Sequence, residues 1–158
     1  MAPARKGKAM ADSDLIKLYS GRILELAADI PHTERLEAPD GTAKKRSPLC
    51  GSTVTVDIRM EDGRVAGFGQ TVRACALGQA AASVVGRAIL GRSEAEVSRA
   101  RDQLRAMLTG EGPAPDAPFE DLGVLLPAKE FRNRHASIML CLEATLEAIG
   151  DARKSACA

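Results

Sequence analysis

The stretch Ser52-Thr53-Val54-Thr55-Val56-Asp57-Ile58-Arg59-Met60-Glu61-Asp62-Gly63-Arg64-Val65-Ala66-Gly67-Phe68-Gly69-Gln70-Thr71-Val72-Arg73-Ala74-Cys75 decides the fold. Its first part alternates, with Val54, Val56 and Ile58 on one face and Thr53, Thr55, Asp57 and Arg59 on the other, the period of a half-solvated strand. Glu61-Asp62-Gly63 turns the chain back, and the return run carries Val65, Phe68 and Val72, with Gly67 and Gly69 marking a bulge. An antiparallel hairpin brings the residue before its first strand next to the residue after its second. The residues so placed are two cysteines: Cys50, in Ser47-Pro48-Leu49-Cys50-Gly51-Ser52, and Cys75, in Arg73-Ala74-Cys75-Ala76-Leu77-Gly78.

Helices surround the hairpin. Asp12-Ser13-Asp14 can cap a helix in which Leu15, Tyr19, Ile23, Leu26 and Ile30 share a face, stopped by Pro31. Residues 31–49 are polar, with Pro39, Gly41, Lys44-Lys45-Arg46 and Pro48, and read as a long loop leading into Cys50. After Cys75, Leu77, Ala81, Val84 and Ala88 keep helical period among small residues, and Gly91 can end that helix. Ser93 and Glu96 form a capping box for a helix bearing Val97, Ala100, Leu104, Met107 and Leu108. A Pro/Gly-rich linker over 109–118 and an apolar run at 122–126 precede the last helix. There Ile138, Leu142, Thr145 and Ile149 line one face, with His135 on the same line and Gly150 at the end.

The sum is an α+β domain, a small antiparallel sheet with its helices gathered on one face. A chain of 158 residues, 45% hydrophobic and 27% charged, suits one packed domain. Its expected limits are 12–150, with a basic tail over 1–11 and a polar tail over 151–158. A net charge of +1 and only four Phe and Tyr side chains argue against nucleic acid as a partner. No apolar stretch approaches the roughly 20 residues of a membrane span, and no secretory signal is evident, so a cytoplasmic protein with reduced thiols is expected.

The chemistry rests on the cysteines. Cys50 lies in a polar loop and Cys75 at a helix start, where the dipole favours thiolate over thiol. If they converge, the pair can bind a thiophilic metal, hold an iron-sulfur cluster, accept a persulfide, or stand as two reduced thiols. His135 is either a core histidine with one hydrogen bond or a third ligand. Arg73, Arg132 and Arg134 can surround such a site with positive charge. Cys141, on the last helix, is a packed core thiol; it cannot share an ion with His135 on an unbroken helix.

Pro48-Leu49-Cys50-Gly51, the strand pair ending in Phe68, Ala74-Cys75-Ala76 with its small-residue helix, and Arg132-Asn133-Arg134-His135-Ala136 together resemble the IscU/SufU type of iron-sulfur assembly scaffold, the NifU N-terminal domain family. The resemblance covers about residues 14 to 150. It implies a sheet of about three strands and a scaffold, not an enzyme, that receives sulfur from a cysteine desulfurase, takes up iron, assembles a 2Fe-2S cluster on three cysteines and an aspartate and passes it to acceptor or carrier proteins. SufU-type members bind zinc at that place. The family has aspartate where this chain has Ser52 and a cysteine where His135 stands. The resemblance therefore implies metal ligands at Cys50, Cys75 and His135, with Ser52 an altered fourth position; Cys2His is a set that zinc also accepts. Leu126-Pro127-Ala128-Lys129 resembles the segment such scaffolds present to an Hsp70-type chaperone. Two other readings stand beside the scaffold: a zinc-binding protein of the sulfur-transfer machinery that builds no clusters, and a thiol enzyme using Cys75 with His135 as base.

Overall fold

Residues 20–157 are described in a computed structural model. Their elements are α1 (Gly21–Ala28), β1 (Gly41–Arg46), β2 (Thr53–Glu61), β3 (Arg64–Arg73), α2 (Ala76–Ala88), α3 (Glu94–Thr109), a 3-10 segment (Glu120–Glu130) and α4 (Arg132–Cys157). The strands form one antiparallel sheet in the order β1-β2-β3.

The hairpin is as the sequence leads one to expect. Asp62 and Gly63 both have positive φ, 52° and 75°, as the two central residues of a tight turn whose twist matches the flanking strands. The register passes from Arg59 opposite Gly67 to Met60 opposite Val65, so Ala66 is the extra residue of a bulge. One face of the sheet carries Val54, Val56, Ile58 and Phe68 into the core, where β1 and β2 pack against α4, whose Ile138, Leu142 and Ile149 are buried. Each large side chain so buried contributes roughly 1.5–3 kcal/mol relative to exposure. The approach is close: a Cβ at Gly41 would stand 2.1 Å from the carbonyl oxygen of Ala148, so only glycine lets β1 lie under α4.

A strap covers the opposite face. Asp57, fully buried, accepts from Arg35 Nε at 2.6 Å and Nη2 at 3.0 Å, from the Leu36 amide at 3.1 Å and from Thr42 Oγ1 at 2.8 Å. Gly69 lacks the Cβ that would strike the Glu34 carbonyl oxygen, so the strap seats directly on β3. Burial works to raise the Asp57 carboxyl, but the hydrogen bonds from Arg35, Thr42 and Leu36 prevail and hold it below the ordinary aspartate value.

Two expectations change. Residues 31–49 are not a continuous loop, because Gly41–Arg46 pairs with β2 from Gly41 opposite Ile58 to Arg46 opposite Thr53. Its polar sequence conceals a strand whose buried positions, Gly41 and Ala43, are small because α4 lies on them. The polar tail expected over 151–158 is helical as far as Cys157, with Ala152 buried and the Asp151 carboxylate accepting from the Thr42 amide at 3.0 Å. Gly150 costs about 1 kcal/mol in a helix interior, and this packing outweighs it. The first helix is capped by Ser20, whose hydroxyl accepts from the Ile23 amide; the cap expected at 12–14 and the tail at 1–11 lie outside the described residues. The capping box of α3 forms with both of its hydrogen bonds. Among the described residues no helix is long and apolar enough to cross a membrane.

Candidate functional site

The turn from β1 to β2 builds one half of the site. The Ser47 amide donates to the Ser52 carbonyl at 2.8 Å and the Gly51 amide to the Ser47 carbonyl at 2.9 Å, with Gly51 at φ 72°. The closure folds buried Ser47 and Ser52 beneath an exposed tip, and Leu49, 75% exposed, stands next to Cys50. The Cys50 sulfur lies 3.2 Å from the Ser47 hydroxyl and 3.2 Å from that of Ser52. Those two hydroxyls, turned to donate to a thiolate, bring Cys50 down to about 7 from 9.0; burial opposes them weakly, and the Ser52 amide and Ser137 hydroxyl add to them.

Cys75 supplies the other half as the N-cap residue of α2. Half-buried, it is pushed up by desolvation; the Gly78 amide, the Ser137 hydroxyl, the Leu77 amide and the Arg134 guanidinium together outweigh that and bring it below the usual thiol value. A helix start turns its free amides toward the cap, so an anion there is favoured.

Ser137 of α4 joins the halves. Its hydroxyl donates to Ser52 Oγ at 3.1 Å and lies 3.6 Å from Cys75 Sγ, giving the continuous path Cys50, Ser52, Ser137, Cys75. Gly78 makes this possible, since a Cβ there would come within 2.6 Å of Ser137 Oγ. The two cysteines inferred to be neighbours do converge, and Ser52 stands between them.

His135 does not join them. Its Nε2 is 2.9 Å from the carbonyl oxygen of Ala128, in the 3-10 segment. The reason is helical: His135 and Ser137 are two residues apart, roughly 200° round α4, so they face opposite ways. His135 and exposed Arg132 line an open cavity of about 600 Å³ with Leu108, Thr109, Lys129 and Glu130. Among the described residues no three His, Cys, Asp or Glu side chains are grouped to hold a metal ion. The expected Cys50, Cys75 and His135 set is thus two cysteines in contact with hydroxyls, and a histidine engaged elsewhere.

The basic residues divide in the same way. Arg134 shares the face of Ser137 and reaches Cys75, while Arg46, Thr53 and Arg73 form one row across the end of the sheet that carries both cysteines. Cys141 is buried, its thiol donating to Gln70 Oε1 at 3.2 Å, and burial pushes it up to about 12; it is a core thiol. In the Leu126–Lys129 segment Leu126 is half exposed, Ala128 is buried and Lys129 pairs with Glu111 at 3.2 Å. Sequence reasoning missed Ser47 and Ser137. Ser137 could have been found as the small polar residue one turn from Arg134 and one turn from Cys141, on the face that meets the helix after Cys75.

Fold and site together define an α+β domain that presents two readily ionised thiols, bridged by serine hydroxyls, at one end of a three-stranded sheet. No protein-family model matches the sequence, and no curated protein matches it. Among solved structures, the chain is similar to a nitrogen-fixing NifU-like protein (N-terminal) from Brucella abortus, with 40% identity and a TM-score of 0.86 over 89% of this chain and 98% of that one. It shares its fold with a protein of Fervidobacterium islandicum described as an iron-sulfur cluster assembly scaffold for the SUF system, at 18% identity and a TM-score of 0.73 over 82% and 94% of the two chains. The chain belongs to the NifU-like N-terminal domain family.

Proposed function

We propose that the chain is a scaffold or carrier in iron-sulfur cluster assembly, with Cys50 and Cys75 as the thiolates that hold iron or a cluster as cargo. The observation that supports this is the convergence of two low-lying thiols on one hydroxyl, Ser137, in a chain 40% identical to a NifU-like protein. Thiolate is the form that binds soft metals, and two thiolates neutralise a divalent ion. Ser52 and Ser137 offer neutral hydroxyls to the same space, and Arg134 offsets negative charge beside Cys75. His135 serves α4 and the 3-10 segment through Ala128 and stands outside the ligand set. The partners in this reading are a cysteine desulfurase as sulfur source and acceptor proteins for the product. The role is binding and transfer, not turnover.

Anaerobic reconstitution with iron and sulfide, followed by absorption spectroscopy, tests the proposal. Wild type and His135→Ala are expected to show cluster bands, and Cys50→Ala and Cys75→Ala to lose them. Wild type without cluster bands, holding stoichiometric zinc that iron does not displace, would refute it in favour of a zinc-binding protein that builds no clusters.

A further inference from the structure

Among the described residues, the strap covers the outer face of the sheet only in part. It seats on the row Thr42, Asp57, Gly69, where Arg35 and Leu36 bond Asp57 and the Glu34 carbonyl meets Gly69. Toward the cysteines the register sets two further rows on that same face, Lys44-Thr55-Thr71 and Arg46-Thr53-Arg73. Lys44, Arg46, Thr71 and Arg73 are exposed, and Thr53 and Thr55 are partly so. Lys45, which alternation turns to the opposite face, pairs with Glu147 of α4 at 3.3 Å. Among the described residues Lys44, Arg46 and Arg73 form no such pair with a carboxylate. The Lys44-Lys45-Arg46 run thus divides into one cation bound to α4 and two that join Arg73 on a flat surface.

We propose that this patch is the docking surface for an acidic helix of a partner protein. Its two rows hold three cations and three threonines, with no carboxylate, aromatic ring or large aliphatic group, so charge complementarity and not apolar burial must supply the contact. The dimensions suit a helix. Neighbouring strands lie about 4.8 Å apart, so Arg46 and Arg73 stand about 10 Å apart across β2, and carboxylates at i and i+7 of a helix are separated by about 10.5 Å along its axis. Lys44 lies about 7 Å from Arg46 along β1, within reach of a carboxylate at i+4. The threonines between the cations are short and restricted in rotamer, which keeps the floor level. A nucleic acid fits less well: single strands are held on aromatic side chains, of which these rows have none, and the whole chain carries a net charge of only +1. Thr53 begins β2 just after Cys50, and Arg73 ends β3 just before Cys75, so the docked helix stands at the end of the sheet that carries both thiols. That its protein gives or takes cargo rests on the scaffold reading above; the docking surface itself does not.

The probe is a stapled helical peptide with glutamate at i, i+4 and i+7, beside its glutamine counterpart, titrated into the isotope-labelled full chain and followed by amide NMR at low and at physiological ionic strength. The glutamate peptide is expected to bind saturably, more weakly as salt rises, with shifts gathered at 44–46, 53–55 and 71–73, and the glutamine peptide not to bind. Lys44→Gln/Arg46→Gln/Arg73→Gln is expected to lose about tenfold in affinity, as three exposed ion pairs go. Arg87→Gln/Arg99→Gln/Arg105→Gln removes the same charge from positions already paired with carboxylates, and is expected to lose about twofold or less. Equal losses in the two variants, shifts centred elsewhere, or no binding would overturn the proposal, as would tighter binding on the same face of a single-stranded DNA oligonucleotide of matched charge. Cys50→Ala/Cys75→Ala is expected to bind the peptide as wild type does; loss of binding there would place the contact at the thiols and overturn the proposal. Wild type that binds the peptide but fails cluster reconstitution would remove the scaffold reading and leave the docking surface in place.

Discussion

Removing the hydroxyls of Ser47 and Ser52 gives a prediction with two opposite signs. They are the largest causes that bring Cys50 to about 7 from 9.0, so the double variant Ser47→Ala/Ser52→Ala is expected to titrate near the ordinary thiol value. At pH 7 about half of wild-type Cys50 is thiolate, against about one part in a hundred for an ordinary thiol. A thiolate about two units less basic is also less nucleophilic, by roughly eightfold for a Brønsted coefficient of about 0.4–0.5. The two factors combine to make wild type about sixfold faster than the variant toward iodoacetamide at pH 7, and about eightfold slower at strongly alkaline pH. Peptide-resolved mass spectrometry across a pH series follows Cys50 separately from Cys75 and Cys141. The profiles should therefore cross. A variant slower or faster by one constant factor at every pH would refute the argument, because changed exposure alone scales a rate without moving its midpoint. The same shift bears on stability: a thiol lowered in the folded state adds stability that is complete above 9.0 and is lost as the pH falls through about 7.

Asp57→Ala removes the anchor of the strap and is expected to cost about 2 kcal/mol, read as a lower midpoint in urea, because charged hydrogen bonds are lost while the exposed Arg35 returns to water. In wild type this contribution is present above the usual aspartate value of 3.8 and is lost as the pH falls through the lower folded value, so the acid limb of a thermal melting series should flatten in the variant. Gly78→Ala places a methyl group within 2.6 Å of Ser137 Oγ and 2.8 Å of Ala74 Cβ; overpacking of about 1–3 kcal/mol and a rise in the alkylation midpoint of Cys75 are expected, and an unchanged midpoint would show that Ser137 does not support that thiol. His135→Ala is expected to cost about 1 kcal/mol through the lost bond to Ala128 while leaving the alkylation profiles of Cys50 and Cys75 in place. A shifted profile would return the imidazole to the site.

Particular residues show where the sequence could be read and where it could not. The hairpin was legible because Val54, Val56 and Ile58 alternate with polar residues and Asp62-Gly63 can turn only one way. The convergence of Cys50 and Cys75 followed from that pairing alone. β1 was not legible, since a strand whose buried positions are glycine and alanine has no hydrophobic alternation to detect. His135 shares the helical line of Ile138 and Leu142, but spacing alone does not say what that line faces in its first turn, where the ring meets the Ala128 carbonyl of the 3-10 segment. Ser137 was overlooked because a serine inside a helix is ordinary until a neighbouring glycine, Gly78, lets a sulfur approach it. Gly150 suggested an end to α4 where contacts with β1, remote in sequence, sustain the helix.

The start of α2 carries a last consequence. The Cys75 side chain makes no ordinary capping bond to the helix; the Gly78 and Leu77 amides instead favour its ionised sulfur. Charge on that sulfur and order in the first turn of α2 therefore sustain each other. Alkylation or protonation, by discharging the sulfur, leaves those amides without an anion and frays the turn that positions Gly78 against Ser137. The reactive group is a structural part of its own helix, so the chemical state of one sulfur is written into local backbone stability, where amide hydrogen exchange at Leu77 and Gly78 can read it.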